Sequence, residues 1–315
     1  MPVSLAAWSW RTPLGAGPEA LGRILAGASA LAPPPAALVP YGIARMAPLR
    51  CEPAPSPHAR YLHRVSLLGV EAALECAAGW SGDRDRLGVY TALGGLRAVW
   101  GDLDVAMAAQ RPDGAEPWAN GLGKVHPHWM LRHLSNNAHA LLAIALGATG
   151  EGTTTAGPVG GATALAGAIR ALEAGTLDAA LVMACDTLLQ PEVLVEGAAR
   201  GRWTTGGPGE AAVAVLLTRG EGARITVETG LQRERGLRET GEPTIPAAMG
   251  RAPLRDCAPL RDCAPPDVTD ALGDIGAATA LAQLVVLAAS GAGSAESGGP
   301  PGLWARVTVG AREAA

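Results

Sequence analysis

The 315-residue sequence contains no phenylalanine and only three tyrosines, and charged residues make up just 17% of it. Its apolar bulk therefore comes from aliphatic residues and eight tryptophans, and a hydrophobic content of 48% predicts a folded chain with a substantial core. An excess of basic charge is missing as well, since the net charge is −4. Because nucleic-acid binding requires a basic surface, we expect no nucleic-acid partner.

Cysteine is scarce and its spacing is uninformative. The five cysteines include no CxxC pair, so neither a disulfide framework nor a zinc site is predicted. Cys257 and Cys263 belong to a direct repeat of PLRDCA, which indicates a duplicated loop, since two cysteines are too few ligands for zinc. His126 and His128 also lack a third ligand at suitable spacing. We therefore expect no metal site and no cofactor.

The sequence lacks a long hydrophobic run. The longest, Ala277–Ala289, is interrupted by Thr279 and Gln283 and is too short to span a bilayer. The first 15 residues have neither the basic segment nor the apolar run of a signal peptide. These observations predict a soluble, cytoplasmic protein that makes no membrane contact.

Strand-like apolar runs alternate with helix-like periods, which predicts the α/β class. The predicted strands cover 2–8, 87–92, 179–184, 211–217 and 303–309. The predicted helices cover 17–25, 62–78, 131–146, 161–174 and 277–289, and 290–302 is predicted to be a Gly/Ser linker. Helices that are apolar on nearly every face are expected between two sheets or against a partner.

Five segments, in this order, resemble the β-ketoacyl synthase family, whose fold is the thiolase fold. Three carry most of the resemblance: SWRTPLGAGPEALGRILAGASAL, VHPHWMLRHLSNNAHALLAIALGATGEG and TTTAGPVGGATALAGAIRALEAGTLDAALVMACDT. Two weaker matches are GPGEAAVAVLL and ALGDIGAATALAQLVVLAA. The resemblance implies a layered α-β-α-β-α fold, with residues 1–218 as the N-terminal half and 219–315 as a shortened C-terminal half.

In the family, a cysteine nucleophile lies at the start of a buried helix, where the helix dipole lowers the thiol pKa and backbone amides hold an oxyanion. The resemblance assigns this position to Gly157, Pro158 or Val159, and counting back from Gly175 favours Pro158. None of the three side chains has a nucleophilic atom. The resemblance therefore implies a turn that is kept without its nucleophile.

Two histidines that follow the nucleophile assist the family's chemistry. Here all six histidines precede residue 140. The position of the second family histidine is occupied by Asp274, and the first, in an HGTGT-type loop, has no counterpart. The family's phenylalanine-containing gating loop cannot be present, because the chain has no phenylalanine. We therefore expect no catalytic residue.

The resemblance suggests a chain length factor of a type II polyketide synthase, a non-catalytic subunit that pairs with an active ketoacyl synthase. The interface would lie around Thr153–Cys185, and acyl carrier protein would be received by the partner. Candidate residues lining the tunnel are Val99, Trp100, Leu103 and Met107, whose bulk would stop chain growth. Each of the four could equally be an ordinary core residue.

An enzyme is the alternative: a thiolase-fold acyltransferase or decarboxylase that uses a site without cysteine. It would need a titratable group in the pocket, and the candidates are Asp186, Glu210 and Asp274. Asp186 follows an apolar strand, and Glu210 matches a structural acid of the family. Both therefore also have a structural explanation. A third possibility is a degenerate scaffold with no role in a tunnel.

Overall fold

A computed structural model describes the chain over residues 2–94, 106, 108–109, 121–134, 136–203, 206–220, 224–231, 266–291, 293–299 and 303–310. Nine strands are found in these residues: β1 (Val3–Thr12), β2 (Gly15–Ala16), β3 (Leu87–Leu93), β4 (Thr153–Ala156), β5 (Ala179–Thr187), β6 (Glu210–Arg219), β7 (Ile225–Leu231), β8 (Gly293–Gly299) and β9 (Leu303–Val309). The α-helices in the same residues are α1 (Gly17–Leu25), α2 (Arg64–Ala77), α3 (Trp129–His133), α4 (Asn137–Leu146), α5 (Gly160–Ala174), α6 (Pro191–Ala199), α7 (Val268–Leu272) and α8 (Thr279–Ser290).

The first sheet has six strands in the order β2-β1-β6-β5-β3-β4. Strand β3 is parallel to both β4 and β5, whereas β6 is antiparallel to β5 and to β1. Every residue of β5 is buried, which explains why residues 179–185 form an uninterrupted apolar run rather than an alternating one. Strand β4 lies at one edge of the sheet, next to the glycine-rich turn.

Helices cover both faces of this sheet. Helix α2 packs on β5 and β6, and α4 packs on α2 and β3. On the opposite face, α5 and α8 lie between the first sheet and a second, antiparallel sheet of order β7-β9-β8. The second sheet turns Ile225, Ala305, Val307 and Val309 toward these helices. The described residues thus supply four successive layers, α-β-α-β, of the five predicted.

Several helix boundaries follow from local signals. Helix α1 begins at Gly17 with proline in its first turn, as predicted. Helix α2 begins one residue after His63, whose Nδ1 accepts the Val65 N–H at 3.2 Å. Helix α5 ends at Gly175, which has φ +77 and so adopts the left-handed conformation that ends helices.

The single predicted helix over 131–146 is wrong. Two helices, α3 and α4, occupy this segment, and Leu134 between them has an extended backbone. The Asn137 side chain donates hydrogen bonds to the carbonyls of Leu131 and Tyr61, at 2.9 and 2.8 Å, and fixes the break. Helix α4 is also less buried than its composition suggests, because Ile144 is 77% exposed.

The segment predicted to be a Gly/Ser linker contains a strand. Strand β8 pairs with β9 along its full length. Its backbone hydrogen bonds to β9 hold it extended, although its Gly/Ser-rich sequence has no apolar pattern typical of a strand. Helix α6 was not predicted either. It packs against the 3-10 turn Ala36–Tyr41, which is distant in the chain, and against Trp203, which follows the helix closely. In the described part of the chain, no helix is long and apolar enough to cross a membrane.

Candidate functional site

The glycine-rich turn joins the edge strand β4 to helix α5. Gly157 has φ +95, which a residue with a side chain rarely adopts, and its N–H donates to the Leu93 carbonyl at 3.1 Å. Its own carbonyl accepts the Gly160 N–H at 2.9 Å, which closes the turn over Pro158 and Val159. Val159 is the N-cap of α5, and no side chain caps the helix there. The geometry is a strand-to-helix turn that presents no nucleophilic atom.

The start of α5 packs against the segment that precedes α8. A Cβ atom placed on Gly161 would lie 2.1 Å from the Ala277 carbonyl oxygen, which is much too close for contact. Backbone therefore meets backbone at this point, in the 3-10 turn Gly276–Ala278. Only glycine at position 161 permits this approach.

Thr155, in β4 just before the turn, has a structural role. Its hydroxyl lies 2.8 Å from the Gly160 carbonyl oxygen and 3.2 Å from that of Thr91. Both neighbours are acceptors, so the hydroxyl donates to the backbone and has no base beside it. A threonine hydroxyl held in this way is a poor nucleophile.

Asp274 is held by an ion pair. The guanidinium of Arg202 donates two hydrogen bonds to Asp274 Oδ2, at 3.0 Å from Nε and 2.5 Å from Nη2, while Oδ1 accepts the Gly276 N–H. Backbone hydrogen bonds link Asp274 to Gly207 and Gly209. The residue thus ties the segment after α7 to the segment before β6.

Asp186 is a buried carboxylate at the end of β5, with 4% of its surface exposed. Oδ1 accepts the Thr187 N–H at 2.8 Å, and Oδ2 accepts the Ala277 N–H at 3.0 Å. Gly94 and Gly276 leave room for it, because a Cβ on either would lie within about 2 Å of a carboxylate oxygen. The carboxylate holds the α8 segment against the sheet beside the turn.

Glu210, the third candidate acid, is equally engaged. Its Oε1 accepts the Thr187 hydroxyl at 2.8 Å, and its Oε2 accepts the Leu49 N–H at 3.0 Å and lies 3.3 Å from Arg64 Nη1. It lies at the start of β6, with 6% of its surface exposed. All three acids named from the sequence therefore have structural partners. Asp186 and Asp274 both accept hydrogen bonds from the 3-10 turn Gly276–Ala278, which packs against the start of α5.

The buried cysteines Cys76 and Cys185 do not offer a reactive thiol. Burial raises the pKa of Cys76 and that of Cys185 to about 12, far above the usual value of a thiol. Cys185 Sγ contacts only the Ser66 hydroxyl, at 3.9 Å, among its hydrogen-bonding neighbours in the described residues. A thiol in such surroundings remains protonated and inert.

The histidines lie before residue 140, in and around α2, α3 and α4, and α2 and α4 cover the face of the first sheet opposite α5. Burial without a polar partner lowers the pKa of His139, whose Nδ1 has no hydrogen bond in the described structure. His126 Nδ1 accepts the His128 N–H at 3.1 Å, so this nitrogen serves the local backbone. No group of histidine, cysteine and acidic side chains suited to a metal ion occurs within the described ranges.

The candidate tunnel residues Val99, Trp100, Leu103 and Met107 lie outside the described residues. The same holds for the repeat that contains Cys257 and Cys263.

Two residues of the site were not predicted from the sequence: Arg202, which holds Asp274, and Gly94, which makes room for Asp186. Neither carries a local signal, because each acts through a residue distant in the chain.

No protein-family model matches the sequence, and a search of curated proteins found no match. Solved structures do match. The ishigamide ketosynthase/chain length factor aligns at a TM-score of 0.69 and 21% identity, over 98% of this chain and 99% of that chain. A β-ketoacyl synthase from Burkholderia phymatum aligns at a TM-score of 0.56 and 18% identity, over 73% of this chain and 64% of that chain.

A third structure is a type II polyketide synthase acyl carrier protein in complex with its ketosynthase bound to the hexaketide. It aligns at a TM-score of 0.53 and 17% identity, over 73% of this chain and 69% of that chain. These likenesses confirm the predicted fold class, a layered α/β fold like that of the ketosynthases. At such low identity they show the fold alone.

Proposed function

Taking this ketosynthase-like fold as the premise, we propose that the chain is a non-catalytic, chain-length-factor-like subunit. It pairs with an active ketoacyl synthase of a type II polyketide system and shapes the tunnel in which the chain grows. The observation that carries the proposal is the turn itself. A ketosynthase needs a nucleophile at the start of α5, and here that place is taken by Gly157, Pro158 and Val159, closed over by backbone hydrogen bonds.

The acidic side chains around the turn support the same conclusion. Asp186, Glu210 and Asp274 are each held by hydrogen bonds or by an arginine, so none is available to act as a base without losing a structural contact. A decarboxylase or acyltransferase that uses one of them would have to break that contact in every cycle. We find no observation that favours this alternative.

The first sheet and its helices also fit a subunit that works in a pair. In the described structure β4 pairs with β3 alone, so its outer edge offers free backbone groups to another chain. Ile144 of α4 is 77% exposed, and Met130 of α3 is 59% exposed. A subunit contact on this side of the sheet would cover such side chains.

The domain division belongs to this proposal. Residues 1–218 would form the half that meets the ketosynthase, and 219–315 a shortened second half. Val99, Trp100, Leu103 and Met107 would line the tunnel floor. The ishigamide structure, which aligns over nearly the full length of both chains, is named for a ketosynthase together with a chain length factor. That pairing in its name supports a paired subunit.

Co-expression with an active ketoacyl synthase is expected to give a stable 1:1 complex. The isolated chain is expected to show neither acyl loading nor malonyl decarboxylation, because the turn contains no nucleophile and no histidine follows the turn in the sequence. Size-exclusion chromatography with light scattering and a radiolabelled malonyl assay measure the two results. Turnover by the isolated chain above that of a heat-denatured sample would refute the proposal.

Replacing Trp100 with alanine in the complex is expected to lengthen the product. Removing the indole from the tunnel floor would free the space of several carbon atoms, while condensation continues in the partner. Mass spectrometry of the released products measures chain length. Trp304→Ala, on β9 of the second sheet, is the matched control and should leave product length unchanged. If both variants give the wild-type product, Trp100 does not line the tunnel.

A further inference from the structure

The imidazole ring of His139 lies where α4 meets the segment that leads into the edge strand β4. A Cβ atom placed on Gly152 would lie 3.1 Å from His139 Cε1 and 2.1 Å from the Val89 carbonyl oxygen. The backbone at Gly152, one residue before β4 begins, therefore packs closely against both the ring and the backbone of β3. The ring thus belongs to the contact that holds the start of β4 in place.

One ring nitrogen of His139 is shielded from solvent. Its Nδ1 is buried and has no hydrogen-bond partner among the described residues. A neutral imidazole carries an N–H on one nitrogen only, whereas an imidazolium carries one on both. Charging the ring would therefore place an N–H at Nδ1 without an acceptor, and would also bury part of a charge. Burial accordingly lowers the pKa of His139.

The titratable groups on the neighbouring elements are engaged elsewhere. Helix α4 has no other titratable residue, and it packs against α2 and β3. On these two elements, the titratable side chains and their described partners are Arg64 with Glu52 and Glu210, Glu71 with the Ala54 N–H, Glu75 with Arg11 and Ser9, Cys76, which stays protonated, and Tyr90 with Glu151. None of these contacts supplies an acceptor or a counter-charge to the His139 ring.

We infer that His139 is a proton-sensitive contact: a charged ring separates α4 from the start of β4, so this edge of the first sheet loosens in mild acid. Histidines of an unfolded or opened segment have a pKa of about 6.5 and bind the proton more tightly than His139 does in the closed structure. The free energy of opening is therefore lost as the pH falls below about 6.5. Above that pH the ring is neutral in both states, and the contact is retained.

Hydrogen exchange of the full-length chain at pH 7.5 and pH 5.5 tests this contact, with each rate corrected for the intrinsic exchange rate at that pH. In the wild type, the protection factors of the backbone amides in residues 152–156 are expected to fall by roughly five- to tenfold between the two pH values. One proton that binds the open state with a pKa of about 6.5, and the closed state more weakly, changes the opening equilibrium by that factor.

His139→Leu and His139→Gln both remove the titrating ring, and each should keep the same protection of these amides at both pH values. Two variants are used so that the comparison survives if one of them folds poorly. His58→Gln is the matched control, because His58 is exposed in the 3-10 turn Pro57–Arg60, away from β4. Its protection factors should fall as they do in the wild type. Unchanged protection in the wild type, or an equal fall in the wild type and the His139 variants, would overturn the inference.

The consequence for pairing rests on the proposed function, in which β4 offers its outer edge to the ketosynthase. Light scattering should then show more dissociation of the wild-type complex at pH 5.5 than of the complex formed by His139→Leu. If the exchange results hold but the two complexes dissociate equally, or no complex forms, the proposed pairing through β4 fails and the role of His139 in the chain stands.

Discussion

Gly161→Ala is expected to lower the free energy of unfolding by about 3 kcal/mol, even though alanine is the better helix former. The added methyl group would lie 2.1 Å from the Ala277 carbonyl oxygen, so α5 and the segment before α8 must move apart. Backbone on the opposing side cannot rotate away as a flexible side chain could. Guanidinium unfolding of the purified chain, followed by tryptophan fluorescence, measures the loss.

Gly22→Ala is the matched control for this substitution. Gly22 lies within α1, is exposed, and a Cβ placed on it meets no atom within 4 Å. The same change should therefore raise the free energy of unfolding by about 0.5 to 1 kcal/mol, through helix propensity and a less flexible unfolded chain. If Gly161→Ala were neutral or stabilising as well, the close packing of the turn against Ala277 would be wrong.

The second large effect is expected at Glu210. Glu210→Ala should lower the free energy of unfolding by about 3 kcal/mol, because the Thr187 hydroxyl and the Leu49 N–H lose their acceptor in a buried place. Arg64 would also lose its buried partner. The effect is measured by the same unfolding experiment, with far-ultraviolet circular dichroism to show that the native fold is retained.

Glu52→Ala removes the exposed ion-pair partner of Arg64 and is the control for Glu210→Ala. The Glu52 side chain is 75% exposed and pairs with Arg64 Nε at 3.0 Å. Solvent-exposed ion pairs contribute little, so the expected loss is about 0.5 kcal/mol or less. Equal losses for the two glutamates would show that burial of Glu210 does not matter. Activity of the complex should change in neither variant beyond the change in folded fraction.

A large loss of unfolding free energy in both Gly161→Ala and Glu210→Ala would show that the residues around the turn stabilise the fold. Gly161 sets the distance between α5 and the segment before α8, and Asp186 closes the same junction from β5. These residues would be required because the layers of the fold meet there. The glycine-rich turn would then have a packing role.

The fold could be predicted in large part from the sequence, since its signals are local. The apolar runs of β5 and β6 and the helix-ending Gly175 are read from neighbouring residues alone. Errors occurred where the decisive contact came from elsewhere. Strand β8 forms because β9 offers a backbone edge, and the 131–146 helix breaks because Asn137 binds the Tyr61 carbonyl.

That the turn presents no nucleophile was determined by the sequence alone, because the side chains of Gly157, Pro158 and Val159 have no reactive atom in any conformation. So was the absence of histidine beyond residue 139. Only the tertiary structure decided what the remaining polar groups do. Arg202 meets Asp274, and Arg60 meets the segment of Arg132, across about 72 residues each. Such pairings depend on how the layers stack, and stacking is set by burial summed over the whole chain rather than by any local pattern.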